Sequence, residues 1–384
     1  MRTLIVWGAG RIGRGFVADI FRQSPDFRLV FVDKDARLVD ALRARGAYTV
    51  AKAAREGIFR TRVEGGFTAL HTSESAAIQA YFDEPELLLD IALHAPVLEE
   101  AADMLCPFIE RRAINALPMD ILMNVNMARP DVRFRQLLNA RLSAAGREYL
   151  ARGVGISGIF AMCISPFAPD WLKAEDPLAL WNNGWSEQAI SADALVCPPP
   201  VLPRLRLTHD IEREETRKLY TLNMAHAFLC YLGLPAGFKT ALEAVSDPAM
   251  RRALETALME ASLGLIHEFG FTDAEMNAWR ETILSLLENP YIEDDLQRLG
   301  ADSRRKLGAF DRLAGPARLC LKAGGAPVSL ARALRAGYEY ENDDAGTREV
   351  RAFVKTQGLE AALTKYSSLT PGDGLYELVL ESRL

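Results

Sequence analysis

The sequence predicts an α/β protein in two parts, an N-terminal doubly wound sheet domain over residues 1–196 and a mostly α-helical domain over residues 205–384. Three observations carry this. Apolar strands alternate with helical stretches through the first half, the pattern of a parallel sheet covered by helices on both faces. The run Val196-Cys197-Pro198-Pro199-Pro200-Val201-Leu202-Pro203-Arg204 cannot continue a helix or a central strand, so it marks the boundary. Beyond it the apolar spacing turns helical.

The first element is Thr3-Leu4-Ile5-Val6-Trp7, a run whose length and composition suit a buried strand. Gly8-Ala9-Gly10-Arg11-Ile12-Gly13 follows, and the spacing of Ile12, Phe16, Val17, Ile20 and Phe21 starts a helix inside the glycine pattern. In such a turn Gly8 permits the sharp bend, Gly10 lets a pyrophosphate approach the backbone, and Gly13 allows tight helix-to-strand contact. A second strand, Leu29-Val30-Phe31-Val32, ends at Asp33, twenty residues after Gly13, where a carboxylate meets a ribose 2′-hydroxyl. Strand, glycine turn, helix, strand and acid in this order predict a Rossmann-type dinucleotide site. Its residues are Gly8, Ala9, Gly10, Arg11, Ile12, Gly13 and Asp33. Asp33 favours NAD, because its carboxylate repels the 2′-phosphate of NADP, although Lys34 and Arg37 stand close by.

Further strands are expected at Leu87-Leu88-Leu89-Asp90-Ile91-Ala92, Ile121-Leu122-Met123 and Val154 to Phe160. His94-Ala95-Pro96 follows one strand end, where it either borders the nicotinamide or simply connects strand to helix. In the helical part, Lys218-Leu219-Tyr220-Thr221-Leu222-Asn223-Met224-Ala225-His226 sets an amine, an amide and an imidazole along one helix. On an ideal α-helix these side chains span an arc of roughly 140° over about 12 Å. Oxidising an alcohol needs a base for the hydroxyl proton and donors for the oxygen as it gains charge, and these three types supply both. The alternative is an amphipathic helix carrying them for structural reasons. Asp247-Pro248 opens a helix with a cap and a proline at its first position, Thr272-Asp273-Ala274-Glu275 is a capping box, and Gly324-Gly325-Ala326-Pro327 breaks the pattern again.

Composition suits a soluble, cytoplasmic two-domain enzyme. With 384 residues, 49 % of them hydrophobic, the chain is long for one core and amply apolar for two. A net charge of −6 argues against nucleic acid or an anionic membrane as partner. No apolar run approaches the roughly eighteen residues of a transmembrane helix, and the N-terminal apolar run is too short for a secretory signal. The five cysteines, Cys106, Cys163, Cys197, Cys230 and Cys320, are scattered and form no CxxC pair, so buried thiols are expected. The five histidines show no zinc spacing, and no metal is expected. A monomer or weak homodimer acting on a small molecule fits these features.

The motifs together resemble the polyol-specific long-chain dehydrogenases. The resemblance rests on Gly8-Ala9-Gly10-Arg11-Ile12-Gly13-Arg14-Gly15-Phe16, on the Lys218/Asn223/His226 helix, and on Glu288-Asn289-Pro290-Tyr291-Ile292-Glu293-Asp294-Asp295 with Arg298. It implies a zinc-independent, NAD-dependent enzyme interconverting a polyol and a ketose. By the same resemblance Lys218 is the catalytic lysine, Asn126 and Asn223 are the amides that hold the reacting oxygen, His226 orients the substrate and Arg298 contacts it. Arg305-Lys306-Leu307, with Asp311-Arg312-Leu313 after it, resembles the branch that uses sugar phosphates. That implies mannitol 1-phosphate and fructose 6-phosphate as the reacting pair, and a phosphate site including Arg305 and Lys306.

Two positions depart from the family pattern. Val125 stands where an acidic residue is usual, and Met162-Cys163, before Ile164-Ser165-Pro166, replaces an Asp-Arg pair. They keep open a uronate or free-polyol oxidoreductase of the tagaturonate, fructuronate or mannitol type, and a non-catalytic NAD-binding protein is the other alternative. The expected mechanism is ordered hydride transfer in a cleft between the two domains. Lys218 takes the hydroxyl proton, Asn126 and Asn223 donate to the alkoxide, and His226 donates to a neighbouring hydroxyl. For the lysine to act near neutral pH, burial and neighbouring cations among Arg213, Arg217 and Arg298 must weaken its hold on a proton.

Overall fold

The apolar runs of the first half become the centre of an eight-stranded sheet. The fold is that of a computed structural model, which describes residues 1–127, 129–292 and 294–382. In chain order the strands are β1 (Arg2–Trp7), β2 (Phe27–Asp33), β3 (Ala47–Ala54), β4 (Gly57–Glu64), β5 (Phe67–His71), β6 (Leu87–Ile91), β7 (Met119–Met123), β8 (Val154–Phe160), β9 (Leu180–Asn182), β10 (Gln188–Ser191) and β11 (Leu205–Thr208). The large sheet runs β11-β10-β8-β7-β6-β1-β2-β5, and β4-β3-β9 form a second, three-stranded sheet. Within the large sheet β10 is antiparallel to β8, while the pairings from β8 through β5 are parallel. β1 lies between β2 and β6, so the winding reverses there, and ligands bind open α/β sheets at such a reversal.

Side-chain alternation explains why these runs are apolar throughout. Ile5, Trp7, Val30, Val32, Leu87 and Leu89 enter one core, whereas Leu4, Val6, Leu29, Phe31 and Leu88 enter another. A strand buried on both faces has no polar side to show. The segment from residue 47 to 71 escapes sequence reading for the opposite reason: Ile58, Phe59, Arg60 and Arg62 of β4 are exposed, and no apolar run announces the strand.

The boundary expected at residues 196–204 also moves. The compact units are Met1–Glu215 and Thr216–Leu384, dividing within the helix Ile211–Lys218. Immediately after the prolines β11 pairs in parallel with β10, from Gln188↔Leu205 to Ser191↔Thr208. The start of the proline run is anchored too, since Asp120 of β7 accepts from the Val196 and Cys197 N–H groups at 2.8 and 3.3 Å. Proline forbids a central strand but not a crossing between two edge elements.

The second unit is helical, and its punctuation follows the sequence closely. Asp247 caps the helix Pro248–Phe269 by accepting from the Ala249 and Met250 N–H groups. Thr272 and Glu275 form the capping box of the helix Asp273–Leu287. The helices Ala314–Lys322 and Val328–Glu339 flank the Gly324–Pro327 break. At Gly264 a Cβ would lie 2.6 Å from Leu319 Cβ, so this glycine sets how closely the long helix packs on the helix Ala314–Lys322. Among the described residues, no helix is long and apolar enough to cross a membrane.

Candidate active site

In the first unit the glycine turn is built by three different constraints. Gly8 has φ +106°, and a Cβ there would meet the Ala92 carbonyl oxygen at 2.4 Å. A Cβ on Gly13 would stand 2.1 Å from the Gly8 oxygen and 2.8 Å from Val6 Cγ1. Gly10 differs, because a Cβ there would meet nothing within 4 Å. The first two glycines are therefore demanded by the protein's own backbone, and the space above the third is open for a ligand. This cradle fits a dinucleotide pyrophosphate.

Asp33 closes the same turn. Its Oδ2 accepts from the Ala9 N–H at 2.7 Å and its Oδ1 from the Asp35 N–H at 2.9 Å, which fixes the carboxylate beside the glycine run. Lys34 turns instead to Glu100, at 2.8 Å, and Arg37 is exposed. Ala9 is buried, Ile12 packs against the core below, and the Arg11 guanidinium lies 4.2 Å from the centre of the Phe167 ring. The helix opens at Arg11 and Ile12, passes through a π segment, Gly13–Val17, and continues as Ala18–Phe21.

His94 is exposed at the mouth of a short turn, Ala95–Val97, just beyond β6. Asn126 is exposed beyond the end of β7. The strands that lead to these residues carry a pair that no motif announces. Asp90 of β6 is fully buried, and Asn124 donates to its Oδ2 at 2.6 Å. Among the described residues its buried Oδ1 has no hydrogen-bond partner, and burial pushes the carboxyl up to about 8 against the pull of the Asn124 amide. A lone Asp within the apolar run Leu87–Ile91 was the available signal.

In the second unit the helix expected across Lys218–His226 is not a continuous α-helix. The turn Leu219–Asn223 is a π segment, followed by the helix Met224–Gly233. Thr221 supplies a local cause: its hydroxyl donates to the Arg217 carbonyl at 2.5 Å and accepts from Trp279 Nε1 at 2.9 Å, competing with the backbone ladder. A π turn bonds residue i to i+5, so a step of five returns to the same face. The 140° arc of an ideal helix therefore overstates the angular separation of Lys218 from Asn223. Tyr220, Thr221 and Leu222 point into the core, while Lys218, Asn223 and His226 are half-buried. Arg217 lies over Trp279, 4.0 Å from its ring centre, and over Phe271 at 4.9 Å.

His226 Nε2 faces Asp294 Oδ2 at 3.6 Å, and Arg298 donates to Asp294 Oδ1 at 2.7 Å. The remaining basic residues separate. Arg305 is exposed and pairs with Asp302 at 2.9 Å, whereas Lys306 is buried and donates from Nζ to the Leu299 carbonyl at 2.5 Å. Burial, with the charges of Arg312 and Arg305, brings the Lys306 ammonium down to about 8. Glu293 of the Glu288–Asp295 motif lies outside the described residues. At the departures from the family pattern, Val125 and Met162 are buried and Cys163 is half-buried. All five cysteines are free thiols, and among the described residues no three His, Cys, Asp or Glu side chains gather as a metal site.

Comparisons with known proteins agree with this architecture. The mannitol-1-phosphate 5-dehydrogenases of Bacillus pumilus (strain SAFR-032) and Bacillus velezensis (strain FZB42) are each 29 % identical to this chain, over 377 and 375 residues, covering 98 % of both partners in each case. Among solved structures, a D-sorbitol dehydrogenase in substrate-free form matches with TM-score 0.81 at 15 % identity, covering 98 % of this chain and 91 % of that one. The Pseudomonas fluorescens mannitol 2-dehydrogenase, in a ternary complex with NAD and D-mannitol, matches with TM-score 0.77 at 14 % identity, covering 98 % and 90 %. At such identities these two speak for the fold alone. Residues 2–198 match the mannitol dehydrogenase Rossmann domain and residues 210–366 the mannitol dehydrogenase C-terminal domain, so the chain belongs to the mannitol dehydrogenase family of oxidoreductases.

Proposed function

We propose that this oxidoreductase is an NAD-dependent dehydrogenase interconverting mannitol 1-phosphate and fructose 6-phosphate. The observation that carries the substrate is the likeness, over 98 % of both chains, to two proteins named for that activity. NAD, when bound, supplies the hydride acceptor and donor. On the protein side, Gly8, Gly10 and Gly13 shape the cradle for its pyrophosphate, Asp33 receives the ribose hydroxyls, and Arg11, Ile12 and His94 border the cofactor. Lys218 takes the proton from the reacting hydroxyl during oxidation and returns it during reduction. Asn126 and Asn223 donate to the oxygen as it gains charge, and His226 and Arg298 orient the rest of the substrate.

A phosphate site at Arg305 and Lys306 belongs to the same proposal. Arg305 carries the exposed cation, already shared with Asp302, and Lys306 a buried amine held by a backbone carbonyl. That prior engagement, together with Met162-Cys163 at the departing positions, favours a second reading in which the substrate is a free polyol or a uronate. NADH oxidation measured with fructose 6-phosphate, fructose, tagaturonate and fructuronate separates them. Fructose 6-phosphate is expected to show much the lowest Michaelis constant, with Arg305→Ala erasing most of its advantage over fructose. Equal efficiency on fructose and its phosphate, or a preference for a uronate, would overturn the sugar-phosphate assignment.

A further inference from the structure

Asp294 lies in the segment between the helices Asp273–Leu287 and Leu296–Gly300, and the surroundings fix it from several sides. It is only 6 % exposed. Its backbone carbonyl accepts from the Ala241 N–H at 2.9 Å, and Thr240 and Asp295 form an isolated antiparallel bridge. The segment is thereby tied to the start of the helix Ala241–Ser246. Arg298, one turn further along, grips Oδ1 at 2.7 Å, which leaves Oδ2 directed at His226 Nε2. Burial works to raise the Asp294 carboxyl, but the His226 imidazole and the Arg298 guanidinium outweigh it and hold the group below its ordinary value. The carboxylate is therefore ionised, held by Arg298 and aimed at the imidazole.

We propose that Asp294 is a positioning residue for His226, holding the imidazole as the tautomer with its proton on Nε2 and leaving Nδ1 as the ring atom offered to the substrate. The inference rests on the reading of His226 as a substrate-orienting residue. The 3.6 Å spacing is loose for a hydrogen bond, as such contacts often are before substrate tightens them. A carboxylate has only acceptors to offer, so the ring nitrogen facing it carries the proton and the other nitrogen of a neutral imidazole is an acceptor. Among the described residues no hydrogen bond engages Nδ1. The direction of the substrate contact is then the reverse of the one expected from sequence: a substrate hydroxyl donates to His226. Arg298 acquires a second task, because it keeps the carboxylate charged and in register while more than half of its own side chain stays exposed.

The tautomer can be read without any substrate. In enzyme labelled with ¹⁵N-histidine, two-bond ¹H–¹⁵N correlation spectra distinguish the two neutral forms, and the His226 signals are those lost in His226→Gln. The wild type is expected to show the Nε2-protonated form, and Asp294→Asn, which keeps the size but removes the charge, a clear shift away from it. Turnover should fall by on the order of tenfold to hundredfold in Asp294→Asn, as when other histidines lose an orienting carboxylate, and Asp294→Glu should recover part of it. A wild-type Nδ1-protonated ring, or a ring unchanged in Asp294→Asn, would overturn the proposal; the wild-type spectrum decides even if the variant does not fold. Failure of the wild type on every ketose tested would instead count against the function and leave the tautomer result standing.

Discussion

The protein carries two π segments, Gly13–Val17 and Leu219–Asn223, and they serve their helices differently. The first follows a glycine turn in which the chemistry is backbone: two glycines are required by carbonyl contacts and a third leaves room for a ligand. The second carries side chains, with Lys218 just before it, Asn223 at its end and His226 beyond. Widening a helical turn near a site is a recurrent device. Here one instance stands beside a backbone cradle and the other sets an amine and an amide on one face. On the proposed reading, the cofactor is gripped by backbone, whereas the substrate is selected by side chains drawn from separate segments.

The strongest way to break that contrast is to remove the amine. Lys218→Ala should lower turnover by about 10² to 10⁴, the usual cost of losing a general base, while NAD affinity, set in the other unit, stays near wild type. Stopped-flow turnover and cofactor titration by intrinsic fluorescence measure the two separately. Retained turnover would move the chemistry to another group, and a matching loss of NAD affinity would show that the two halves are not separable.

The same contrast explains what the sequence discloses. The glycine turn and Asp33 are legible because they are local: a strand, three glycines and an acid at fixed spacing act through backbone geometry. The caps at Asp247 and Thr272 are legible for the same reason. The π turn at Leu219–Asn223 is not, since the Thr221 hydroxyl that competes with its ladder is also engaged by Trp279 from a distant helix. Asp294 stands four residues before Arg298, at ion-pair spacing, yet nothing in the chain's order shows that its other oxygen faces His226. Arg305 and Lys306 are adjacent in sequence and opposite in environment, one exposed and one buried, because a short helix turns neighbours to different sides.

Within the backbone-built half, two glycine variants sharpen the comparison. Gly13→Ala forces a Cβ against the Gly8 carbonyl, which is backbone and cannot swing aside, so stability should fall by on the order of 3 kcal/mol. Gly10→Ala meets no protein atom, and the thermal midpoint should stay near wild type while NAD binding weakens about tenfold or more. Thermal melts with and without NAD distinguish the two. Equal destabilisation by both would mean that Gly10 is also structural and that the open space above it is not reserved for a ligand.

The effect that shows only as pH changes concerns the exception to the contrast, Asp90, a buried side chain of β6 in the first unit. Its carboxyl is pushed up to about 8 by burial, so between the ordinary carboxylate range and pH 8 the folded state holds a proton that the unfolded state has released. The sign follows: the stabilisation is fully present in acid and is lost as pH rises toward 8, with a slope of at most about 1.4 kcal/mol per pH unit. Asp90→Asn imitates the protonated acid, since its amide oxygen can still accept from Asn124, and it has no proton to lose. The variant and the wild type should therefore melt at similar temperatures below about pH 4, with the variant gaining over the wild type as pH rises to 8. A constant difference between the two across that range would mean that Asp90 titrates normally in the fold. In that case the Asp90–Asn124 pair would be an ordinary ionised contact, and burial in β6 would not hold a proton on the carboxyl.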